Sequence, residues 1–506
     1  MSVNPKLEQW TRRQTLRGAG GTAALLATAP LSACYDPRAT ARQTSRSLAI
    51  PPLERGSTIG GERRFDLTLQ KGEKAFGGAG TRLSPTVGIN APYLGPTLEL
   101  RRGEKVRFNV RNKLDESATL HWHGFELPAA ADGGPHQLIR PGELWTPAFE
   151  VRQRASLYWY HSHMHRRTGP QVYAWLAAPI YVRDEEEDRL DLPNEYGVDD
   201  IPLVVQDRIV EDNGSLIYPA GMHARMMGVS GERIFVNGTP DPVFEATTGL
   251  LRLRLLNASN ARFYNFFLDG DKPMEVIASD GGLLDRPQRM RSVSLAPGER
   301  AQLLVNLSDG SPVRLRASSP GNGMGMMGGM GGMMDRSRTG ASGGDFTILD
   351  ILPTSGSTKM RRIPAMLAKL QAPDPALAVR TRRFTLNMGM GMMGRFTING
   401  EEMDMRVINE NVPVNQWEIW EIGNTSMMAH PFHIHNVQFR IIDRNGRQPP
   451  PTEAGFKDTV VVSPSERVRL LLRFEKYTDP DLPYMYHCHI LEHEDAGMMG
   501  QFVVTK

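Results

Sequence analysis

The tripeptide His487-Cys488-His489 constrains this chain more than any other stretch. In an extended strand residues i and i+2 share a face and residue i+1 looks the other way, so the two imidazoles serve one site and the sulfur another. Three more His-x-His pairs stand at His121/His123, His161/His163 and His433/His435. Together the four pairs offer eight imidazoles, two pairs from early in the chain and two from its end. His430 lies three positions before His433 and so faces away from that pair, toward the side that Cys488 takes. His493, and Met498 ten residues past the cysteine, complete a second set. The other three histidines, His136, His165 and His223, are read as non-ligands.

These two sets differ in chemistry. Clustered imidazoles suit Cu, Zn, Fe or Ni, whereas two histidines, a cysteine and a weak axial methionine form the ligand set of a blue-copper electron-transfer site. One strand then joins a one-electron site to a multi-metal cluster through the peptide bonds flanking Cys488. A zinc hydrolase has no use for such a path, because zinc has no redox chemistry. The Cys488 thiolate is thereby committed to metal.

A chain of 506 residues exceeds what one core serves. Fifty Gly and thirty-six Pro punctuate short runs rich in β-formers, which points to an all-β chain of sandwich domains. FDLTLQ at 65, PTLELRRGEKVRFNVRNKL at 96 and SLYWYHSHMH at 156 belong to a first unit, expected at 61–185. DIPLVVQDRIV at 200, RIFVNG and GLLRLRLLNAS belong to a second, at 198–352. RFTING at 395, NQWEIWEIGNTS at 415 and the terminal strands belong to a third, at 380–506. The pairing of FVNG with LRLRLLNAS, and of TING with WEIWEIGNTS, reads as one unit repeated.

Methionine is the compositional outlier, at 26 residues. Met324, Met326, Met327, Met330, Met333 and Met334 fall in a Gly-rich stretch, 321–344, that has no periodicity able to bury a face. A second run, NMGMGMM, occupies 387–393, and Met427 and Met428 precede His430. Thioethers interleaved with glycine suit a soft ion, Cu(I) above all.

The formal charge of +3 resides in the first 33 residues, and the remainder carries 55 basic and 55 acidic side chains. Nothing in that balance argues for nucleic acid or a membrane surface. Residues 1–33, with Arg12-Arg13 before a small, apolar run, resemble a twin-arginine export signal, so a periplasmic location is expected. Leu31-Ser32-Ala33-Cys34 also resembles a lipobox, which would acylate Cys34 and anchor the chain to a membrane. A simple cleavage site is the alternative, and 34–60 reads as linker. No disulfide is expected between Cys34 and Cys488.

The four histidine motifs, in this order, resemble those of the multicopper oxidases, and most of all the bacterial periplasmic copper efflux oxidases. The resemblance covers about 60–506 and implies three cupredoxin-like Greek-key β-sandwich domains and four copper ions. It implies a type 1 copper on His430, Cys488, His493 and Met498, and a type 2 copper on His121 and His433. It gives a type 3 pair His123, His161, His163, His435, His487 and His489; this division of the eight imidazoles comes from the resemblance alone. Oxidation of Cu(I) or a small-molecule reductant, with reduction of O2 to water, is the implied activity, with a role in copper tolerance. Asp132 and Glu494 are the implied proton relays, orientation of a ligand being the alternative. The Met-rich segments, with Met427 and Met428, are the implied capture site for substrate Cu(I). There the sequence departs from the pattern: Ser426 stands where an aspartate is expected. Two further readings remain, a laccase acting on organic phenols, and a copper-sequestering or copper-free scaffold protein.

Overall fold

Period-two alternation sets the opening strands of the first and third sandwiches. In Arg380–Met388 the residues Arg382, Phe384, Leu386 and Met388 are buried while their neighbours are exposed, as a strand with one face on a core demands. Glu62–Lys74 repeats the pattern with Phe65, Leu67 and Leu69. Leu250–Asn257 is buried throughout, so both of its faces are covered.

The computed structural model describes residues 46–76, 81–319, 345–354, 362–371, 373–389 and 394–506. Residues 1–45, with the expected export signal and Cys34, the six methionines between 324 and 334, and residues 390–393 lie outside them. The described chain is all-β, as expected: six sheets, in which non-consecutive strands lie side by side in the Greek-key manner, enclose three main cores. Among the described residues no helix is long and apolar enough to cross a membrane.

The sequence echo has a physical basis in two asparagine clamps, each used three times. Asn90, Asn237 and Asn399 all sit at positive φ, where asparagine is tolerated better than most residues. Their side-chain oxygens accept the N–H of Thr68, Val204 and Thr385 at 2.7–2.8 Å, pinning a turn to the opening strand of each sandwich. Asn112, Asn257 and Asn424 end the strand that runs parallel to that one. Each accepts the N–H two residues on, at 2.9–3.1 Å, and donates to one carbonyl four or five residues on and to one distant carbonyl. The third of these clamps shapes the loop that delivers Ser426, Met428 and His430.

Residues 46–59, within the expected linker, supply three short strands instead. Arg46–Ser47 pairs with Pro242–Ala246, Leu53–Glu54 with Thr97–Arg101, and Ser57–Ile59 with Glu62–Lys74. Edge strands of two or three residues carry no periodic signature, so composition alone reads them as loop.

Candidate metal centre

Two antiparallel strand pairs carry His121, His123, His161, His430, His433 and His487, and His163, His435 and His489 lie just past the strand ends. In the first sandwich Ser156–His161 pairs with His121–His123, setting His161 opposite His121. In the third, Asp479–Cys488 pairs with His430–Ile434, setting His433 opposite His487 and Phe432 opposite Cys488. Because facing residues share a side of the sheet, this register sends Cys488 into the third core and its flanking imidazoles out of it.

Cys488 Sγ lies 3.4 Å from His430 Nδ1 and 3.7 Å from His493 Nδ1, and the two nitrogens are 3.3 Å apart. All three side chains are fully buried. Met498 is buried in the same core, and its carbonyl accepts the Cys488 N–H at 3.0 Å. Elsewhere in this core Phe384, Tyr486 and Phe502 pack on Trp420, with ring centroids 4.6, 6.0 and 5.7 Å away. Phe396 lies directly against the set, its ring centroid 4.8 Å from that of His493.

The outer edges of both histidines are tied. His430 Nε2–H reaches Ser426 Oγ at 2.7 Å; the hydroxyl spends its own proton on Asn424 Oδ1, also at 2.7 Å. His493 Nε2–H reaches the Met226 carbonyl at 3.1 Å. Each ring is thereby left with a bare Nδ1 aimed at the sulfur. Burial pushes the thiol up and both imidazoles down, His493 to about 4, so a cation must displace the thiol proton before this set can act.

The eight paired imidazoles converge where the first and third sandwiches meet. Ligand-capable atoms fall within 4.8 Å of one another in His123/His161/His489, in His163/His435/His487 and in His121/His123/His433. Burial favours the neutral form of seven of these rings: it lowers His121, His123, His433, His435 and His489 far below the usual imidazole value, His161 to about 3 and His163 to about 4. His121 and His433 give their Nδ1–H to the carbonyls of Asp132 and Asp458 at 2.9 and 2.8 Å. Their Nε2 atoms, like both nitrogens of His489, are buried without a partner. His487 Nε2 stands 3.1 Å from His163 Nε2 and 3.4 Å from His435 Nε2. Apart from His489, whose ring has neither nitrogen partnered, these are nitrogens with their outer edges held and their lone pairs turned toward one another, the arrangement that cations stabilise. The donor set therefore fits bound copper.

Two carboxylates stand behind the rings. Asp132 Oδ2 accepts from His435 Nδ1 at 2.8 Å. Glu494 Oε1 accepts from Thr168 Oγ1 at 2.6 Å, and its two oxygens lie 3.3 and 3.2 Å from the Nδ1 atoms of His163 and His487. Burial raises the Asp132 carboxyl well above the usual range.

His136, His165 and His223 join none of the ligand-capable groups among the described residues. Met428 is fully buried, while Met427 is 41% exposed. Sequence reading missed Asp458, Arg300, Thr168 and the Met222–Met227 helix, whose MHARMM sequence was a usable signal.

With this geometry in place, comparison with known proteins is direct. Sequence models described as multicopper oxidase match residues 74–187, 223–314 and 375–506. Over 450 residues the chain is 35% identical to the multicopper oxidase mco of Staphylococcus aureus, spanning 88% of this chain and 89% of that one. It is 34% identical over 498 residues to the cell division protein FtsP of Dickeya dadantii, spanning 97% and 98%. A solved laccase-like multicopper oxidase, CueO of Ochrobactrum sp., is 35% identical and superposes with a TM-score of 0.80 over 90% of this chain and all of that one. Three β-sandwiches, a buried Cys/His/His set and eight converging imidazoles, joined to these matches, establish that the chain belongs to the multicopper oxidase family.

Proposed function

We propose that this protein oxidises Cu(I), and secondarily small phenolic reductants, one electron at a time at the Cys488 site and reduces O2 to water at the imidazole cluster, with a role in copper tolerance. The ligands we assign are His430, Cys488, His493 and Met498 for a type 1 copper, and His121 and His433 for a type 2 copper. His123, His161, His163, His435, His487 and His489 are assigned to a type 3 pair. When bound, the four coppers supply one-electron redox chemistry at the first site and four-electron reduction of oxygen at the second.

The observation that carries this reading is the shared strand. Cys488 belongs to one buried set while His487 and His489, its neighbours in the chain, belong to the other. The covalent path between the sets is therefore as short as a peptide allows. Asp132 is proposed to hold a proton at its carboxyl for the cluster, supported by its burial-raised affinity and its contact with His435 Nδ1. Glu494, bridging His163 and His487 and fed by the Thr168 hydroxyl, is proposed to pass protons by way of those two rings' surroundings.

Preference for Cu(I) is supported by what covers His493. Its Nε2 edge is closed by the Met226 carbonyl, Met226 and Met227 pack against the third core, and exposed Met427 lies next to the buried loop at Ser426. The proposed capture site adds the Met-rich stretch with Met324, Met326, Met327, Met330, Met333 and Met334. Export by the twin-arginine route to the periplasm belongs to the same proposal. The phenol activity has support in the Ochrobactrum protein, described as having oxidase activity towards lignin model compounds.

Oxygen uptake by copper-loaded protein, with Cu(I) compared against a phenol, tests the reading. Faster uptake with Cu(I) is expected. Uptake with phenol alone makes the protein an organic laccase, and none with either makes it a copper-binding scaffold.

A further inference from the structure

The middle sandwich supplies none of the eight converging imidazoles, yet two of its residues reach the cluster. Gly298 is one: at φ +86° it lies so near His489 that an added Cβ would meet the ring at 2.9–3.1 Å. Arg300 is the other. Its fully buried guanidinium spends all five N–H donors. Nε donates to the Leu157 carbonyl at 3.1 Å, Nη1 to Gly298 O at 3.1 Å and Asp458 Oδ1 at 2.7 Å, and Nη2 to Asp280 O at 3.1 Å and Asp458 Oδ2 at 2.6 Å.

Asp458, in the third sandwich, is equally buried and held bidentately by this fork, the most restrictive geometry available to a carboxylate. Its Oδ1 lies 3.1 Å from His123 Nε2, in the first sandwich. An oxygen already committed to Arg300 can only accept there, so the proton sits on Nε2 and the lone pair of His123 is on Nδ1. That Nδ1 is 3.4 Å from His161 Nε2, inside the cluster. Meanwhile the Asp458 main-chain carbonyl takes the Nδ1–H of His433 and turns that ring's bare Nε2 inward. One residue thus fixes two stacked rings, centroids 3.8 Å apart, in opposite tautomers. Gly124, following His123 at φ +87°, leaves room for the pair: a Cβ there would lie 2.6 Å from Asp458 Oδ2 and 3.1 Å from Arg300 Nη2.

We propose that Asp458, locked by Arg300 of the ligand-free middle sandwich, is a positioning residue that sets the tautomer of His123 and so governs how tightly the imidazole cluster holds copper. The inference rests on the reading of that cluster as a copper site. Loss of an outer partner of this kind lowers metal affinity by about 10- to 100-fold.

The test compares two variants that each remove the buried charge pair, so neither strands a lone ion. R300M/D458L also removes the carboxylate acceptor for His123, leaving only the Thr459 hydroxyl at 3.4 Å from Nε2, whereas R300M/D458N keeps an amide oxygen in the carboxylate's place. Copper retained per chain is measured during titration with a competing chelator, together with the blue absorbance of the Cys488 site. The expected result is that R300M/D458L gives up cluster copper at about 10- to 100-fold lower chelator concentration, with its blue absorbance kept, while R300M/D458N recovers most of the loss. Equal retention by R300M/D458L and wild type overturns the inference, as does a loss shared evenly by both sites, which marks a merely structural pair. Neutron diffraction from copper-loaded wild-type crystals is independent of variant folding: a deuteron on His123 Nε2 supports the inference and its absence overturns it. Wild-type protein that takes up no copper overturns both this inference and the reading beneath it.

Discussion

Ser426 Oγ stands 2.7 Å from His430 Nε2 and is itself buried, so the residue in place of the expected aspartate serves His430 rather than solvent. Its hydroxyl closes a chain from Asn424, the third copy of the strand-end clamp, to the sulfur site.

Ser426→Ala leaves the His430 N–H buried without an acceptor, at a cost of about 1–3 kcal/mol. The expected result is a lower thermal midpoint of the copper-free protein and an altered blue absorption band after loading. An unchanged band would mean that His430 is oriented by packing alone.

Glu494→Gln keeps the size of the side chain and the Thr168 contact but removes the group that can take and release a proton. Oxygen turnover is expected to fall about 100-fold or more, with the blue absorbance intact. Single-turnover reduction of the Cys488 site, measured by its bleaching, should keep the wild-type rate.

Met498→Leu conserves volume and is expected to cost less than about 1.5 kcal/mol in stability. Losing the weak axial thioether should raise the reduction potential of the Cys488 site. A redox titration reads this directly, and an unchanged potential removes Met498 from the ligand set.

Replacing Met222–Met227 by a shorter Gly-Ser turn uncovers His493 Nε2, now capped by the Met226 carbonyl. Phenol oxidation should rise and Cu(I) oxidation fall, compared as kcat/KM for each reductant. Both rates falling together would place the helix in stability rather than in substrate choice.

Much of the site was legible because β-structure has an exact period. Parity alone puts Cys488 with His430 and apart from His487 and His489, and the strand register agrees. The repeat was legible as well, since FVNG and TING keep the asparagine that the turn needs at positive φ. What stayed hidden depends on long-range pairing. Arg300 and Asp458 are 158 positions apart, and neither carries a local signal of the other. The Met226 contact with His493 spans 267 positions and is made by a main-chain carbonyl, which no side-chain pattern records. The strands at 46–59 are set by the sheets they join.

The central claim is that one strand serves two metal centres. Anomalous diffraction at the copper edge, from crystals of the copper-loaded protein, tests it most directly. The account expects one peak between Cys488, His430 and His493 and separate peaks among the eight imidazoles. A map with no peak beside the Cys488 sulfur, or none where His487 and His489 point, would contradict it.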